Sequence, residues 1–308
     1  MTETYALRSD KDAIQPQPPI DYIITDLITN SSLNVFYGEA GSKKTYSALS
    51  MAVAVANGKD WLSFTTKKSP VLFIDEESGE KRFGRRLNET MRGANCEASN
   101  QLFYISLAGF KLDKKEDIKD IESQISQTGA KLVIFDALAD IMDGDENSKR
   151  DVQPVMTALR KIADNTDSSI VLIHHSNKSG GYRGSSVIKA SADLMVQITS
   201  EIDDSIITFK TEKNRDGNYT SWSAEALWDE DAFYLEPTSI TKNNSEREEY
   251  VLNYLLEHGE SLMNDIIKNP INCTSSGAKK AIYSLKKIGR ITRTNPQDGN
   301  RGAKYKIV

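Results

Sequence analysis

The chain has 308 residues, with 38% apolar and 27% charged residues, 8 Pro and 18 Gly, which excludes disordered, collagen-like and low-complexity classes. Two cysteines, Cys96 and Cys273, stand far apart without a CxxC pair, so neither a disulfide scaffold nor a cysteine zinc site is expected. The opening stretch has no apolar core of a signal peptide, and no apolar run nears the ~18 residues of a membrane span, so a soluble, cytoplasmic protein with no membrane contact is expected. Net charge is −5 but uneven: Lys268–Val308 alone carries +9. That tail points to nucleic acid, against the plainer reading of a solvated basic surface.

In chain order, residues 1–20 are polar and proline-bearing and read as a flexible arm. Short apolar runs follow at Leu33–Tyr37, Val71–Asp75, Leu102–Ser106, Leu132–Asp136 and Ile170–His174. Each is apolar throughout with little alternation, as strands buried on both faces are. Helical patterns lie between them at Thr45–Ala56, Glu80–Met91, Lys115–Gln127 and Val152–Asn165. The alternation predicts an α/β domain with a mainly parallel sheet over residues 21–237. Met195–Thr199, Ser205–Lys213, Ser221–Ala224 and Ala232–Leu235 read as antiparallel strands added to one side.

Residues 238–244 are a polar linker, and 245–308 form a second, smaller unit. Glu246–Glu257 is amphipathic, with Tyr250, Val251, Tyr254 and Leu255 on one face. Helices around Leu262–Lys268 and Ser275–Ile288 follow, then strands Arg290–Thr294 and Lys304–Val308 about an Asp-Gly-Asn-Arg-Gly turn. Three helices and a hairpin predict a winged helix. Its third helix would bring Lys279, Lys280 and Lys286 to DNA, and its wing Arg301. The alternative is a protein-docking module.

Gly38-Glu39-Ala40-Gly41-Ser42-Lys43-Lys44-Thr45 joins the first strand to the first long helix, with Tyr46 next. It matches the phosphate loop G-x-x-x-x-G-K-[ST] at Gly38, Lys44 and Thr45, with Lys43 in place of the last glycine. Such a loop wraps backbone N–H groups around ATP phosphates, sets a lysine on the β- and γ-phosphates and a hydroxyl on Mg²⁺. Lys43 would either crowd the phosphates or add a second cation. Leu132–Asp136 has the Walker B form, so Asp136 joins Thr45 as a candidate Mg²⁺ ligand. Asp75-Glu76-Glu77 ends another strand with three carboxylates, one of which would polarise the attacking water.

This order of motifs, closing with Ile170–Lys178, resembles the RecA-like ATPases, and more closely the hexameric helicases of the plasmid RepA type, an AAA_25-like family. The resemblance spans about residues 20–225. It implies an ATP- and Mg²⁺-dependent ring translocating on single-stranded DNA, in replication of a plasmid, phage or mobile element, with a replication initiator or primase as partner. It maps the water-activating glutamate to Glu77, an arginine to Arg86 and a γ-phosphate sensor to His175 rather than His174. It places Lys178, Tyr182 and Arg183 in a loop facing single-stranded DNA, Arg183 alternatively facing a neighbour's nucleotide. Lys213 and Arg215, in Lys-x-Arg-x-Gly, are similar to the basic pair of DnaB-like helicases that reaches ATP on the next subunit. The competing readings are a RecA/RadB/KaiC-like ATPase without unwinding and an ATP-gated DNA-binding regulator that Lys43 has deprived of hydrolysis.

Overall fold

A computed structural model describes residues 9–14, 16, 19–175, 185–200, 204–238, 244–268, 270, 275–287, 289–297 and 302–308. The chain divides into two compact units at Pro237/Thr238.

The first unit opens with a helical turn, α1 (Asp10–Ala13), inside the stretch expected to be an arm. The hairpin β1 (Tyr22–Ile24) and β2 (Ile28–Thr29) precedes the first long strand, β3 (Leu33–Gly38). Then follow α2 (Lys44–Asn57), β4 (Val71–Asp75), α3 (Glu80–Gly93), β5 (Leu102–Ser106), α4 (Lys115–Thr128), β6 (Leu132–Asp136), a 3-10 turn (Leu138–Ile141), α5 (Lys149–Thr166) and β7 (Ser169–His175). A short α6 (Ser186–Ser191) leads to β8 (Leu194–Thr199), β9 (Ile206–Asn214), β10 (Ser221–Asp229) and β11 (Ala232–Thr238). One nine-stranded sheet holds them in the order β11-β10-β9-β8-β3-β7-β6-β4-β5.

The apolar runs are buried on both faces, as their lack of alternation predicts. Along β6, Leu132 and Ile134 pack into a core with α2 and α3, while Val133 and Phe135 pack into a second core under α4 and α5. Two expectations need correction. β8 is not antiparallel to its inner neighbour: it pairs parallel with β3 (Asn34↔Leu194 to Tyr37↔Gln197), and antiparallel pairing begins only at β9. β5 is parallel to β4, but it is the sheet edge, so Phe103 and Tyr104 are exposed. Both follow from strand order, a non-local property.

In the second unit, α7 (Asn244–His258) is followed by β12 (Ser261–Leu262), α8 (Met263–Ile266), α9 (Ser275–Lys287), β13 (Ile291–Arg293) and β14 (Lys304–Ile307). The strands pair antiparallel in the order β12-β14-β13. Val251 and Leu255 pack with Ile266, Ile282, Leu285 and Tyr305, and the Tyr250 hydroxyl donates to the Ile266 carbonyl at 2.7 Å. No helix among the described residues is long and apolar enough to cross a membrane.

Candidate nucleotide site

Parallel strands paired in register bring their C-terminal ends to one edge, where α/β sheets bind ligands. Here Gly38 pairs with His175, and Asp75 with Asp136, so the phosphate loop, three carboxylates and a histidine share that edge. Gly38 tolerates no side chain, since an ideal Cβ there would lie 2.2 Å from the Ile198 carbonyl oxygen.

The loop reaches α2 through two left-handed residues, Gly41 (φ 81°) and Lys43 (φ 63°). Lys43 therefore holds the conformation that the usual glycine adopts freely, at a cost of about 1–2 kcal/mol for an L-residue. Its side chain runs to the β8–β9 connection, where Nζ donates to Ser200 Oγ at 2.8 Å. The backbone geometry of the loop is kept, and the ammonium has a hydroxyl partner. Turnover should survive both Lys43→Gly and Lys43→Ala. Both variants lose the Ser200 bond, but only alanine keeps the left-handed strain, so it should unfold more easily than the glycine variant by about 1 kcal/mol. Equal denaturation midpoints would refute that account.

Lys44 is buried, and its Nζ donates to the carbonyls of Gly38 (3.0 Å) and Glu39 (2.8 Å). Burial lowers its pKa, against the nearby Asp136, Glu77 and Glu39. Thr45 Oγ1 donates to Asp136 Oδ2 at 2.7 Å. Asp136 is buried, and burial pushes its carboxyl up to about 7 despite that bond. Ser42 is buried too, and its hydroxyl finds no partner among the described residues, while Glu39, Ala40 and Gly41 are exposed at the mouth. Oxygen atoms of Thr45 and Asp136, the latter a buried carboxylate whose charge a cation would offset, fit a hard divalent cation such as Mg²⁺.

Three consecutive carboxylates separate into two roles. Asp75 accepts from Ser78 N and Gly79 N, both at 3.0 Å, and from Ser106 Oγ at 2.7 Å. Glu76, almost buried, accepts from Ala108 N (3.1 Å) and Gly109 N (2.9 Å). Both are committed to building loops. Glu77 is about half-exposed, with Oε2 3.9 Å from His175 Nε2. Burial, then Lys44, lowers the His175 pKa, favouring the neutral imidazole. His174 points elsewhere: fully buried, its Nδ1 is 3.8 Å from Glu146 Oε2.

Arg86 and Tyr46 form a neighbouring group. Arg86 donates to Ser78 Oγ at 3.0 Å and lies 5.6 Å over the Tyr46 ring. The Tyr46 hydroxyl donates to Glu89 at 2.8 Å, and its ring packs on Phe233 and Trp228. Arg86 thus braces the turn that carries Glu77. Trp228 is half-exposed beside the P-loop helix, its ring packed on Tyr46 and Phe233. The sequence reading missed it because nothing local marks one aromatic in a β-hairpin. It also missed Asp140, whose pKa burial raises, with Glu77 next among the causes.

Lys213 and Arg215 lie at the other end of the sheet. Leu194, the first residue of β8, pairs with both Asn34 and Asn214. β3 then runs ~17 Å from Leu33 to Gly38. The pair therefore cannot reach its own phosphate loop. Lys213 Nζ donates to the carbonyls of Lys189 (2.8 Å) and Ala190 (3.0 Å), and Arg215 bonds Asp193 and Ala190. Lys178, Tyr182, Arg183 and Arg301, together with the Lys280 side chain, lie outside the described residues. On α9, Lys279 and Lys286 are exposed and flank the exposed Tyr283, one helical stripe with an aromatic that the sequence reading did not single out.

Residues 2–181 match the AAA_25 family, described as an AAA domain. The chain is also similar to a solved structure of an ATPase domain, with 16% identity and a TM-score of 0.51 over 66% of this chain and 84% of that one. That likeness shows the fold: a RecA-like P-loop core with a large, mostly parallel sheet.

Proposed function

The chain belongs to the AAA_25 family, and from that premise we propose that it is an ATP-hydrolysing ring motor that moves on single-stranded DNA, a helicase of a plasmid, phage or mobile element. One observation carries the hydrolytic part: a buried Lys44, the Thr45–Asp136 pair and Glu77, with Asp75 and Glu76 already committed, converge at one sheet edge. Lys44 exchanges its two carbonyl partners for the β- and γ-phosphates, and the loop amides and Ser42 hydroxyl add donors. Thr45 and Asp136 would hold Mg²⁺, which when bound would neutralise phosphate charge. Glu77 accepts a proton from the attacking water as its oxygen bonds the γ-phosphorus and the bridging P–O bond breaks, releasing ADP and phosphate. His175, beside Glu77 and paired with Gly38, senses whether the γ-phosphate is present. Trp228 offers its ring to the base.

The ring follows from the position of Lys213 and Arg215. Too far from their own site, they serve one on a neighbouring copy, and head-to-tail contacts of this kind close into rings. Lys178, Tyr182 and Arg183 are read as the single-strand contact, and the second unit as a winged helix that meets duplex DNA through Lys279, Tyr283 and Lys286. The test is ATP turnover with and without single-stranded DNA, beside mass measurement with a non-hydrolysable analogue. Turnover should rise with DNA, and the mass should become a multiple of the 34.3 kDa chain. A monomer fully active at high dilution and indifferent to DNA would overturn the reading.

A further inference from the structure

Around α6, cations gather on backbone oxygen. Lys213 takes the carbonyls of Lys189 and Ala190, Arg215 Nη2 takes that of Ala190 at 3.0 Å, and Arg160 Nη2 takes that of Ser191 at 2.9 Å. One carboxylate organises the group. Asp193 Oδ1 accepts from Arg215 Nη1 at 3.0 Å; Oδ2 accepts from Leu33 N at 2.9 Å and pairs with Arg160 Nη1 at 2.6 Å. Arg215 N also donates to the Asp193 carbonyl at 3.0 Å.

The two ends of the Arg215–Asp193 pair differ. The Asp193 side chain is 12% exposed and that of Arg215 51%. An exposed ion pair is ordinarily loose and contributes little. This one has a fixed end, because donors on β3 and α5 already hold the carboxylate. Bonds to Asp193 Oδ1 and the Ala190 carbonyl then fix the plane of the guanidinium at two points. A guanidinium has five N–H donors, so others remain for a ligand on its exposed side. Arg160, Lys189, Lys213 and Arg215 outweigh Asp193 and Asp216 in charge, so this edge favours an anion.

We propose that Asp193 is the positioning residue of Arg215: it orients the guanidinium so that its remaining donors meet the γ-phosphate of ATP held by a neighbouring copy. This rests on the ring reading above. Its physical content is pre-organisation, since an arginine already held at two points loses little further freedom on meeting the phosphate. A lysine at 215 would keep the charge and lose the two-point grip.

The experiment measures steady-state ATP turnover of the full chain with single-stranded DNA, for wild type, Asp193→Asn, Arg215→Lys and Arg215→Ala. Each variant is also mixed with Lys44→Ala. Arg215→Ala should be nearly inactive. Asp193→Asn and Arg215→Lys should each lose at least tenfold in kcat, with KM for ATP within about twofold, because neither touches the phosphate loop. Mixing Asp193→Asn with Lys44→Ala should restore part of the turnover, since the Lys44→Ala subunit supplies an intact Arg215 to an intact loop. Wild-type turnover in Asp193→Asn beside an inactive Arg215→Ala overturns the proposal and leaves the ring reading standing. Normal turnover in Arg215→Ala overturns both. A folded but inactive Asp193→Asn that Lys44→Ala cannot rescue makes the residue merely structural and overturns the proposal. Should Asp193→Asn fail to fold, Arg215→Lys decides: full activity refutes the need for orientation, and a tenfold loss with rescue by Lys44→Ala upholds it.

Discussion

Glu77→Gln should leave ATP binding intact and lower turnover by about 10²- to 10⁴-fold, the usual loss when a positioned base is removed. The amide keeps the size of the side chain and can still accept a hydrogen bond, but it cannot take a proton from water. The adjacent Glu76→Gln is the control. Glu76 lies buried against Ala108 N and Gly109 N, so its loss acts on the loop after β5 rather than on water. That variant should unfold more easily by about 1–3 kcal/mol, since a bond to a charged group weakens, while turnover stays within a few-fold of wild type. Binding of a fluorescent ATP analogue, steady-state turnover and thermal denaturation on all three proteins separate the roles. Near-normal turnover in Glu77→Gln would remove it as the base. A loss confined to Glu76→Gln would move the role there.

The contrast between these neighbours shows how far the sequence can be read. Asp75-Glu76-Glu77 is visible as an acidic strand end, but nothing in three consecutive carboxylates tells which are spent on backbone amides. Those amides belong to Ser78–Gly79 and to Ala108–Gly109, the latter across a strand pairing. The core strands were legible because burial on both faces leaves an unbroken apolar run, as Leu132–Phe135 shows. β5 has the same local texture, yet it lies at the edge because no strand follows it in the sheet order. The parallel direction of β8 was hidden for the same reason. α6 was illegible: six residues, Ser-Val-Ile-Lys-Ala-Ser, carry less than two turns of pattern. Arg215 bonds Asp193 directly across the strands, and Lys213 joins them through the carbonyls of that helix, so their joint arrangement had no sequence signal. Lys43 was visible as a departure from the loop pattern, but its left-handed backbone and its reach to Ser200 are three-dimensional facts.

Asp136→Asn should abolish turnover and, in nucleotide-free protein, raise stability at pH 8. The two effects have one origin. Burial raises the Asp136 pKa to about 7, against an ordinary value of 3.8, although the Thr45 bond favours the charged form. An acid with a raised pKa in the fold prefers to be protonated there, so its cost is absent at pH below 3.8, grows between pH 4 and 7, and is complete above pH 7. Asparagine keeps an acceptor for Thr45 and carries no charge to desolvate. The stability gap between variant and wild type should therefore be small at pH 4 and widen through pH 7. It should level off at about 1–3 kcal/mol, below the ~4 kcal/mol that three pKa units set as a ceiling. ATP with Mg²⁺ should reverse the order at pH 8, because the ionised carboxylate then gains a divalent partner that the amide holds poorly. The same linkage makes metal binding release protons near neutral pH. Titrating Mg²⁺ into the ATP complexes of wild type and Asp136→Asn at pH 7, in two buffers of different ionisation enthalpy, should show more protons released by wild type. A variant less stable than wild type across the whole pH range would mean that the charged Asp136 is already compensated without a cation, and its assignment as a metal ligand would lose its physical basis.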